Sequence, residues 1–386
     1  MEFQELKETA IDYNTNWKEK PFQFPERIVR VGTLFSGIGA IEHAFQRLGL
    51  KHKIVFAGDI ELNVKKSYFA NYDINEGDWF TDIRDFDATK YKGKVDFIVG
   101  GAPCQAFSSV GHKLGFEDAR GTLFYEFARV IKKTQPKVFL FENVRGLLTH
   151  DNGRTWNVIH DIFEEFGYDV KFRILNSCDY GIPQNRRRLY CLGFKEKTEF
   201  QYPKPIELKC RMYDFLEDFK DDRFYIEGEN QKFITPRDNG DYNNPRFDEF
   251  VFPVKDVLEK YYLSEKMTKF IKTEGTKNFK TSTETDLDVA RPLLHSMHKM
   301  HRAGIDNYVS HTGRFRKLTP RECLRLMGFR DDFKIVCSDT AMYQQAGNSI
   351  VVDVLIALLK QMDITQYGVD EVQKPTIYFP YLSFKD

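Results

Sequence analysis

Residues 28–48 read IVRVGTLFSGIGAIEHAFQRL, which is an apolar run, a glycine-rich turn and an amphipathic run in succession. This order predicts a buried strand over Ile28–Phe35 that leads directly into a helix near Ala40–Leu48. Glycines at such a turn let the main chain approach a ligand, and the free N–H groups at the helix start favour a nucleotide-like group. The full dinucleotide pattern GxGxxG is broken because residue 42 is glutamate, so a plain tight turn stays open as an alternative.

The same alternation of apolar and amphipathic runs continues to about residue 195. Further strands are predicted over Ile54–Ala57, Val95–Val99, Val138–Phe141, Tyr168–Leu175 and Arg188–Phe194. Helices are predicted near Leu62–Tyr72, Leu123–Lys133 and Trp156–Phe166. Strands separated by helical segments are typical of βαβ units. The sequence therefore predicts an α/β fold built on a mostly parallel sheet.

The alternation fades near residue 196, and residues 196–315 are rich in Asp, Asn, Tyr, Phe, Lys and Pro. This composition predicts a smaller, irregular domain inserted into the α/β domain. The larger domain then comprises residues 30–195 and 316–386, and residues 1–29 are an extension without assigned chemistry. Regular pattern returns at Thr319-Pro320-Arg321-Glu322, which has the residue types of a helix start. A last helix is predicted near Ile350–Met362.

The charged residues balance, with 57 Lys+Arg against 57 Asp+Glu and a formal net charge of +0. This balance argues against indiscriminate coating of nucleic acid by a basic surface. The distribution is uneven within the inserted domain. Asp214–Glu229 has seven acidic and two basic residues, whereas Arg291–Lys317 has six basic residues and one acidic residue. A local basic site is therefore compatible with the neutral chain.

The chain has no run of about 18 apolar residues and no signal-peptide pattern, so neither a membrane span nor secretion is expected. None of the six cysteines stands in a CxxC pair. The spacing suggests neither a disulfide framework nor a zinc site. A cytoplasmic protein with reduced thiols and no membrane partner is the expectation.

One cysteine follows the predicted strand Val95–Val99, in the segment Gly100-Gly101-Ala102-Pro103-Cys104-Gln105. In α/β folds the carboxyl ends of the strands carry functional groups. Cys104 is thus placed where a thiolate can act as a nucleophile. An inert buried thiol is the commoner state of a single cysteine and remains the alternative at this point.

Two more polar motifs occur at predicted strand ends. Glu142 leaves the apolar strand Val138–Phe141, and desolvation there raises the pKa of a carboxyl toward a value suited to proton donation. In the segment Gln184-Asn185-Arg186-Arg187-Arg188, an extended backbone directs Arg186 and Arg188 to one face. Two parallel guanidinium groups suit a phosphate or a carbonyl oxygen. A salt-bridged glutamate and a solvated basic turn are the alternatives.

Taken in this order, the motifs resemble those of the cytosine-5 DNA methyltransferase family. The blocks that carry the resemblance are FSGIG at 35–39, PCQ at 103–105, ENV at 142–144, QNRRR at 184–188, RKLTPRECLRLMGF at 316–329 and GNS at 347–349. The resemblance covers about Val31–Phe194 and Arg316–Leu359. It implies a Rossmann-like, S-adenosylmethionine-dependent catalytic domain, with the target-recognition domain in residues 196–315 and no metal.

The resemblance also implies a covalent mechanism on a cytosine flipped out of duplex DNA. Cys104 would add to C6 of the base, which makes C5 nucleophilic toward the methyl group. Glu142 would engage N3 and the exocyclic amine, and Arg188 would hold O2. Arg186 would position the base, Cys104 or a neighbouring phosphate.

The same resemblance implies the residues that bind cofactor and DNA. Those expected to line the cofactor pocket are Phe35, Gly37, Gly39, Asp59, Ile60, Asp82, Ile83, Pro103, Leu123 and Asn348. Asp59 and Ile60 depart from the family's usual glutamate and bulky aromatic, so Glu61 is a second candidate for the ribose contact. Those expected to contact DNA are Gln105, Ser108, Val110, Lys299, Arg302 and Arg314.

The implied partner is double-stranded DNA, and the implied setting is bacterial restriction–modification with a monomeric enzyme and a cognate endonuclease. A tRNA cytosine-5 methyltransferase is the alternative within enzymes, but its usual Cys-Phe-Thr element does not occur in the sequence. A non-catalytic DNA-binding relative is disfavoured because Cys104, Glu142, Arg186 and Arg188 are all present. A nicotinamide-dependent oxidoreductase would explain neither the Pro-Cys-Gln segment nor QxRxR.

Overall fold

A computed structural model gives the fold, and it describes residues 17–103, 122–217, 232–233, 250–251, 259–276, 279–311 and 313–370. The predicted α/β fold with a mostly parallel sheet is confirmed. The central sheet has seven strands in the order β3-β2-β1-β4-β5-β7-β6. These strands are β1 Val29–Leu34, β2 His52–Gly58, β3 Trp79–Phe80, β4 Phe97–Gly100, β5 Val138–Val144, β6 Asp169–Asn176 and β7 Arg187–Phe194. Only β7 runs antiparallel to its neighbours β5 and β6.

Helices cover the sheet on both faces, in two large apolar clusters. The helices of this domain are α1 Ala40–Leu48, α2 Leu62–Asn71, α3 Leu123–Thr134, α4 Arg154–Glu165, α6 Pro320–Leu326, α7 Asp339–Asn348 and α8 Val352–Gln361. The predicted helix start at Thr319 is confirmed as a capping box with Glu322. Helix α7 was not predicted because its polar sequence lacks a clear apolar stripe.

The segment Asp339–Gln361 is the one stretch in the described part of the chain that is apolar and long enough to cross a membrane. It contains α7 and α8, and 83% of its most apolar window is buried inside the protein. Helix α8 packs against α1, where the buried ion pair between Arg47 and Asp353 joins them at 2.8 Å. The core therefore accounts for the apolar composition of this segment.

Short elements make up the described part of the predicted recognition region. They are β8 Lys232–Phe233, β9 Phe250–Val251, α5 Glu265–Ile271, β10 Gly275–Thr276, β11 Phe279–Lys280, β12 Tyr308–His311 and β13 Arg314–Lys317. The six strands β8 to β13 pair as three two-stranded sheets. A small apolar cluster separate from the main core is centred on Leu263, Ile271, Ala303 and Tyr308. Such a small core is consistent with a second, smaller domain.

The first part of the predicted recognition region and the N-terminal extension pack on the catalytic core. Buried side chains between Tyr202 and Leu216 belong to the same apolar cluster as β7 and α8. The Tyr202 hydroxyl donates to the Tyr190 carbonyl at 2.8 Å. Trp17, in the N-terminal extension, is 3% exposed and donates to the Lys204 carbonyl at 2.9 Å. The extension and residues 202–216 thus stabilise the catalytic domain.

Candidate active site

The turn after β1 has an unusual backbone at the carboxyl edge of the sheet. Phe35 and Gly37 have φ of 53° and 54°. A positive φ is strained for a residue with a side chain, and such strain concentrates at functional sites. Ser36 ties the turn to β2: the Gly58 N–H donates to Ser36 Oγ at 2.8 Å, and the Ser36 N–H donates to the Gly58 carbonyl at 2.9 Å. Two neighbouring strands therefore fix the shape of the turn.

Asp59 braces this turn beside the predicted cofactor pocket. Its Oδ2 accepts the Gly37 N–H at 3.1 Å and its Oδ1 accepts the Glu61 N–H at 3.1 Å. Burial raises the pKa of the Asp59 carboxyl. Ile60 beside it is 60% exposed, and a Cβ on Gly37 would meet no atom within 4 Å. An open turn next to a carboxylate with spare lone pairs fits the amino-acid and ribose parts of S-adenosylmethionine.

Two predicted cofactor residues also have structural roles that sequence reasoning missed. Gly39 begins α1 with φ of 78°, and a Cβ there would lie 2.1 Å from the Tyr72 ring. The Ile83 side chain is 4% exposed in the core, and its carbonyl accepts from Arg129 Nη2 at 2.7 Å. Because the Ile83 side chain is buried and its carbonyl is occupied, its main-chain N–H is the group that could contact adenine. Both assignments to the cofactor stay predictions.

The other predicted cofactor residues lie on several elements. Asp82 pairs with Arg84 at 2.5 Å, which lowers the pKa of the Asp82 carboxyl. Pro103 is exposed just beyond β4, Leu123 is the first residue of α3, and Asn348 is the exposed last residue of α7. Cys104, Gln105, Ser108 and Val110 lie outside the described residues.

Asn143 anchors the main chain that leads toward Cys104. Its Nδ2 donates to the Ala102 carbonyl at 2.9 Å. Gly101 lies against Glu142, since a Cβ on Gly101 would be 2.8 Å from the Glu142 carbonyl oxygen and 3.1 Å from Glu142 Oε2. Glycine at 101 is thus required for the close approach of the two strand ends. The main chain two residues before Pro103 therefore lies directly beside the Glu142 carboxyl.

Glu142 and Arg188 form a pair on the adjacent strands β5 and β7. Arg188 is in register with Val144, two residues from Glu142 on the same face of β5. Arg188 Nε lies 3.4 Å from Glu142 Oε1, and the two side chains are 18% and 13% exposed. Burial raises the pKa of the Glu142 carboxyl, while Arg188 and Arg186 oppose that rise. The pair offers a carboxyl group and a guanidinium side by side, which suits the N3, amine and O2 atoms of a cytosine.

Arg186 does not share this open position. It is 4% exposed, and its guanidinium donates to the carbonyls of Leu293 at 2.8 Å, Gly347 at 2.9 Å and Ser349 at 3.0 Å. The prediction that Arg186 and Arg188 offer two parallel guanidinium groups to a phosphate or a carbonyl oxygen of a ligand is therefore wrong. The cause is tertiary: main-chain carbonyls from remote segments surround Arg186. The role of Arg186 in positioning the base or Cys104 stays a prediction.

The sequence pattern described as C-5 cytosine-specific DNA methylase matches residues 29–363. The chain belongs to this family. It is 35% identical to the Type II methyltransferase M1.ScrFI of Lactococcus lactis subsp. cremoris, over 85% of this chain and 76% of that protein. It is 34% identical to the Type II methyltransferase M.SsoII of Shigella sonnei, over 86% of this chain and 79% of that protein. This methylase transfers a methyl group from S-adenosylmethionine to C5 of cytosine in DNA, and the cysteine mechanism is general to its family.

The fold of the methylase is also that of solved methyltransferases. The crystal structure of S. pombe Dnmt2 methyltransferase superposes with a TM-score of 0.61 and 20% identity, and the match covers 86% of this chain and 98% of that chain. At this identity the likeness concerns the fold alone.

The three predicted DNA contacts of the recognition region differ in their surroundings. Lys299 is exposed. Arg302 Nε donates to Thr273 Oγ1 at 2.9 Å, and Arg314 forms a two-pronged pair with Glu259 at 2.6 and 3.0 Å. Arg302 and Arg314 would have to exchange these partners to contact DNA. All three remain predictions.

The basic stretch Arg291–Lys317 is not a uniform basic surface. Arg316 is 0% exposed and pairs with Glu322 at 2.8 Å. Lys317 Nζ donates to the Met297 carbonyl at 2.7 Å. These side chains hold the domain together, so the local charge available to DNA is smaller than the residue count suggests.

A buried carboxyl beneath the cofactor turn gives a stability prediction. Glu42 occupies the position that breaks GxGxxG, and the Tyr68 hydroxyl donates to its Oε1. Burial raises the pKa of Glu42 from 4.5 to about 7. As pH rises, the unfolded chain ionises first, so the free energy of unfolding falls between these two pH values by about 1.4 kcal/mol per pH unit.

Denaturant unfolding at pH 5.5 and pH 7.5 tests this prediction on the wild-type chain and Glu42→Gln. The neutral amide has no proton to exchange, so the variant should lose this part of the decline in stability. The same decline in both proteins would contradict the assignment to Glu42. A free energy of unfolding that rises with pH in the wild type alone would show that the predicted pH dependence has the wrong sign.

Proposed function

We propose that this methylase modifies one cytosine within a specific duplex sequence, with Cys104, Glu142 and Arg188 acting on a base flipped out of the helix. The observation that carries the proposal is the Glu142–Arg188 pair at 3.4 Å, set directly beside the main chain that leads to Cys104. A flipped base can reach such a partly buried pair, whereas a base stacked in a duplex cannot.

The proposed chemistry divides the reaction among three side chains. The Cys104 thiolate adds to C6, and the C5=C6 π pair moves to form a C4=C5 double bond. The C4=N3 π pair moves to N3, where it takes the proton that the Glu142 carboxyl donates, so C5 becomes the nucleophilic carbon of an enamine. Arg188 stabilises the charge that develops at O2. S-Adenosylmethionine supplies the methyl group that C5 attacks. Loss of the C5 proton then expels Cys104 and restores aromaticity, and water is a sufficient base for that step.

Target recognition is assigned in this proposal to residues 218–315, which follow the segment that packs on the catalytic core. The separate apolar cluster around Tyr308 supports a small folding unit there. Lys299 is the best placed of the predicted contacts because its side chain is exposed, whereas Arg302 and Arg314 donate to Thr273 and Glu259. Gln105, Ser108 and Val110 of the loop after β4 would contribute from the catalytic side, with Val110 filling the space that the base vacates.

The biological role proposed is protection of host DNA in a restriction–modification system. The support is the likeness to two relatives that are named Type II methyltransferases. In that setting the methylase acts as a monomer in the cytoplasm, and its partner is an endonuclease that cuts the same unmethylated sequence. DNA that the purified methylase has methylated beforehand should then resist cleavage by that endonuclease.

Methylation of a mixed-sequence duplex with tritiated S-adenosylmethionine, followed by cytosine conversion sequencing, tests the proposed activity and target together. We expect label in the duplex, and we expect cytosines that resist conversion to occur in one recurring sequence context. A parallel reaction on bulk tRNA tests the RNA alternative. Label in tRNA alone, or label in neither substrate by a protein that binds S-adenosylhomocysteine, would overturn the proposal.

A further inference from the structure

A junction of three sequence motifs lies away from the reacting atoms. It joins the QxRxR segment, the Gly-Asn-Ser segment at the end of α7, and the main chain at 293–295 from the predicted recognition region. Arg186 is its centre, since its guanidinium binds carbonyls of Leu293, Gly347 and Ser349 within 3.0 Å. The last two carbonyls flank Asn348, a predicted cofactor contact.

Gln184 binds the same recognition segment from the other side. Its Oε1 accepts the Leu293 N–H at 2.9 Å, and its Nε2 donates to the Leu326 carbonyl at 2.8 Å. The main chain at Gln184 also forms a parallel bridge with Ala290. The Gln184 and Arg186 side chains thus both hold main chain of the recognition region, and neither of these two is free to contact DNA.

Gly347 brings the third element into direct contact. A Cβ at this position would lie 2.2 Å from the His295 nitrogen and 2.3 Å from the Leu294 carbonyl carbon. The 294–295 main chain therefore rests on the helix end next to Asn348, with no side chain between them. A shift of either segment must displace the other, because packed interiors yield little.

We propose that Arg186 and Gly347 couple the cofactor pocket to the recognition region, so that cofactor binding at Asn348 and sequence-specific DNA binding reinforce each other. Arg186 is a positioning residue in this scheme, because it acts through the main chain of 293 and 347–349. The inference rests on the proposed function, in which residues 218–315 read the DNA, and on the prediction that Asn348 contacts the cofactor. By linkage, each ligand must tighten the other's binding by the same factor.

The coupling factor is the dissociation constant of S-adenosylhomocysteine without DNA divided by its dissociation constant with a duplex that contains the target sequence. For the wild type we expect a factor of about 5–150, the usual span of such coupling. Gly347→Ala and Arg186→Lys should bring the factor close to one. Lysine keeps the charge but cannot serve three carbonyls in the same geometry.

Gly77→Ala is the matched control, because a Cβ on Gly77 meets no atom within 4 Å. It should keep the wild-type factor. A merely structural loss in Gly347→Ala would weaken S-adenosylhomocysteine binding equally with and without DNA, which leaves the factor unchanged. An unchanged factor in folded Gly347→Ala or Arg186→Lys overturns the proposal, as does a factor of one in the wild type.

Hydrogen exchange on the wild type gives a test that needs no variant. Saturating S-adenosylhomocysteine, without DNA, should slow exchange of the amides in a peptide spanning 290–299, which includes the Leu293 N–H. Unchanged exchange in the 290–299 peptide would refute the proposed coupling even if the methylase is active. Slowed exchange in a protein that methylates no DNA would instead support the junction and refute the proposed function.

Discussion

Glu142→Gln lowers the rate of methyl transfer by about 10²–10⁴-fold, the usual contribution of a positioned proton donor. The amide can still donate to N3 and accept from the exocyclic amine of cytosine, so duplex affinity should change little. It has no proton to give as Cys104 adds to C6. The loss should therefore appear in single-turnover rate at saturating duplex and S-adenosylmethionine, with KM for DNA nearly unchanged.

The pH profile separates this role from a structural one. Burial raises the pKa of the Glu142 carboxyl, so the proton needed for N3 is retained to higher pH than in an ordinary glutamate. The wild-type rate should therefore fall at alkaline pH as Glu142 loses its proton. Glu142→Gln should lack the alkaline fall, and a variant that retains it would exclude Glu142 as the donor.

Duplex containing 5-fluorocytosine at the target provides the covalent readout. Fluorine at C5 cannot leave as a cation, so the adduct with Cys104 persists and is seen as a shifted band on a denaturing gel. Cys104→Ser should form no such complex. Glu142→Gln should form it slowly, because attack at C6 lacks its proton donor. Trapping by Cys104→Ser at the wild-type rate would place the nucleophile elsewhere.

Glu322→Gln destabilises the protein by about 3–5 kcal/mol, since it leaves the Arg316 charge uncompensated in the core. Both side chains are 0% exposed, and Glu322 also accepts the main-chain N–H groups of Glu217 at 2.9 Å and Thr319 at 2.7 Å. The amide retains one acceptor oxygen for these donors. Urea denaturation followed by circular dichroism measures the loss as a lower midpoint.

A double variant distinguishes the buried charge from the lost hydrogen bonds. Arg316→Met combined with Glu322→Gln removes the unpaired charge and should be more stable than Glu322→Gln alone. Arg314→Met breaks the exposed pair with Glu259 and should leave the midpoint unchanged, because solvent screens that pair. A double variant less stable than the single one would show that hydrogen bonds, and not the charge, dominate.

Much of the fold follows from patterns within short stretches of sequence. The predicted helix Ala40–Leu48 matches α1, and the predicted strands match β1, β2, β4, β5, β6 and β7 to within a few residues. The capping box at Thr319 was predicted for the same reason, since all its partners lie within one turn. Helix α7 escaped prediction because it is specified by the segments packed around it.

Some residues of the candidate active site could be predicted from the sequence, and others could not. The family resemblance of the motifs predicted that Glu142 and Arg188 act on the same base. Asn143, Ser36 and Arg129 were missed, since their hydrogen bonds to Ala102, Gly58 and Ile83 depend on how strands and turns meet. No spacing in the sequence signals such contacts.

By itself, the sequence determined the strand and helix types, the order of the motifs and the chemistry they indicate. It did so because periodicity, turn residues and caps act between neighbours in the chain. Only the tertiary structure decided which charged side chains face a ligand. Arg186 is bound by carbonyls 107 to 163 residues away, and Arg316 is enclosed on every side. Burial depends on residues remote in sequence, so Arg186, which the sequence placed beside Arg188 at a ligand, binds main-chain carbonyls instead, and Arg316, counted in a basic stretch, is buried in an ion pair.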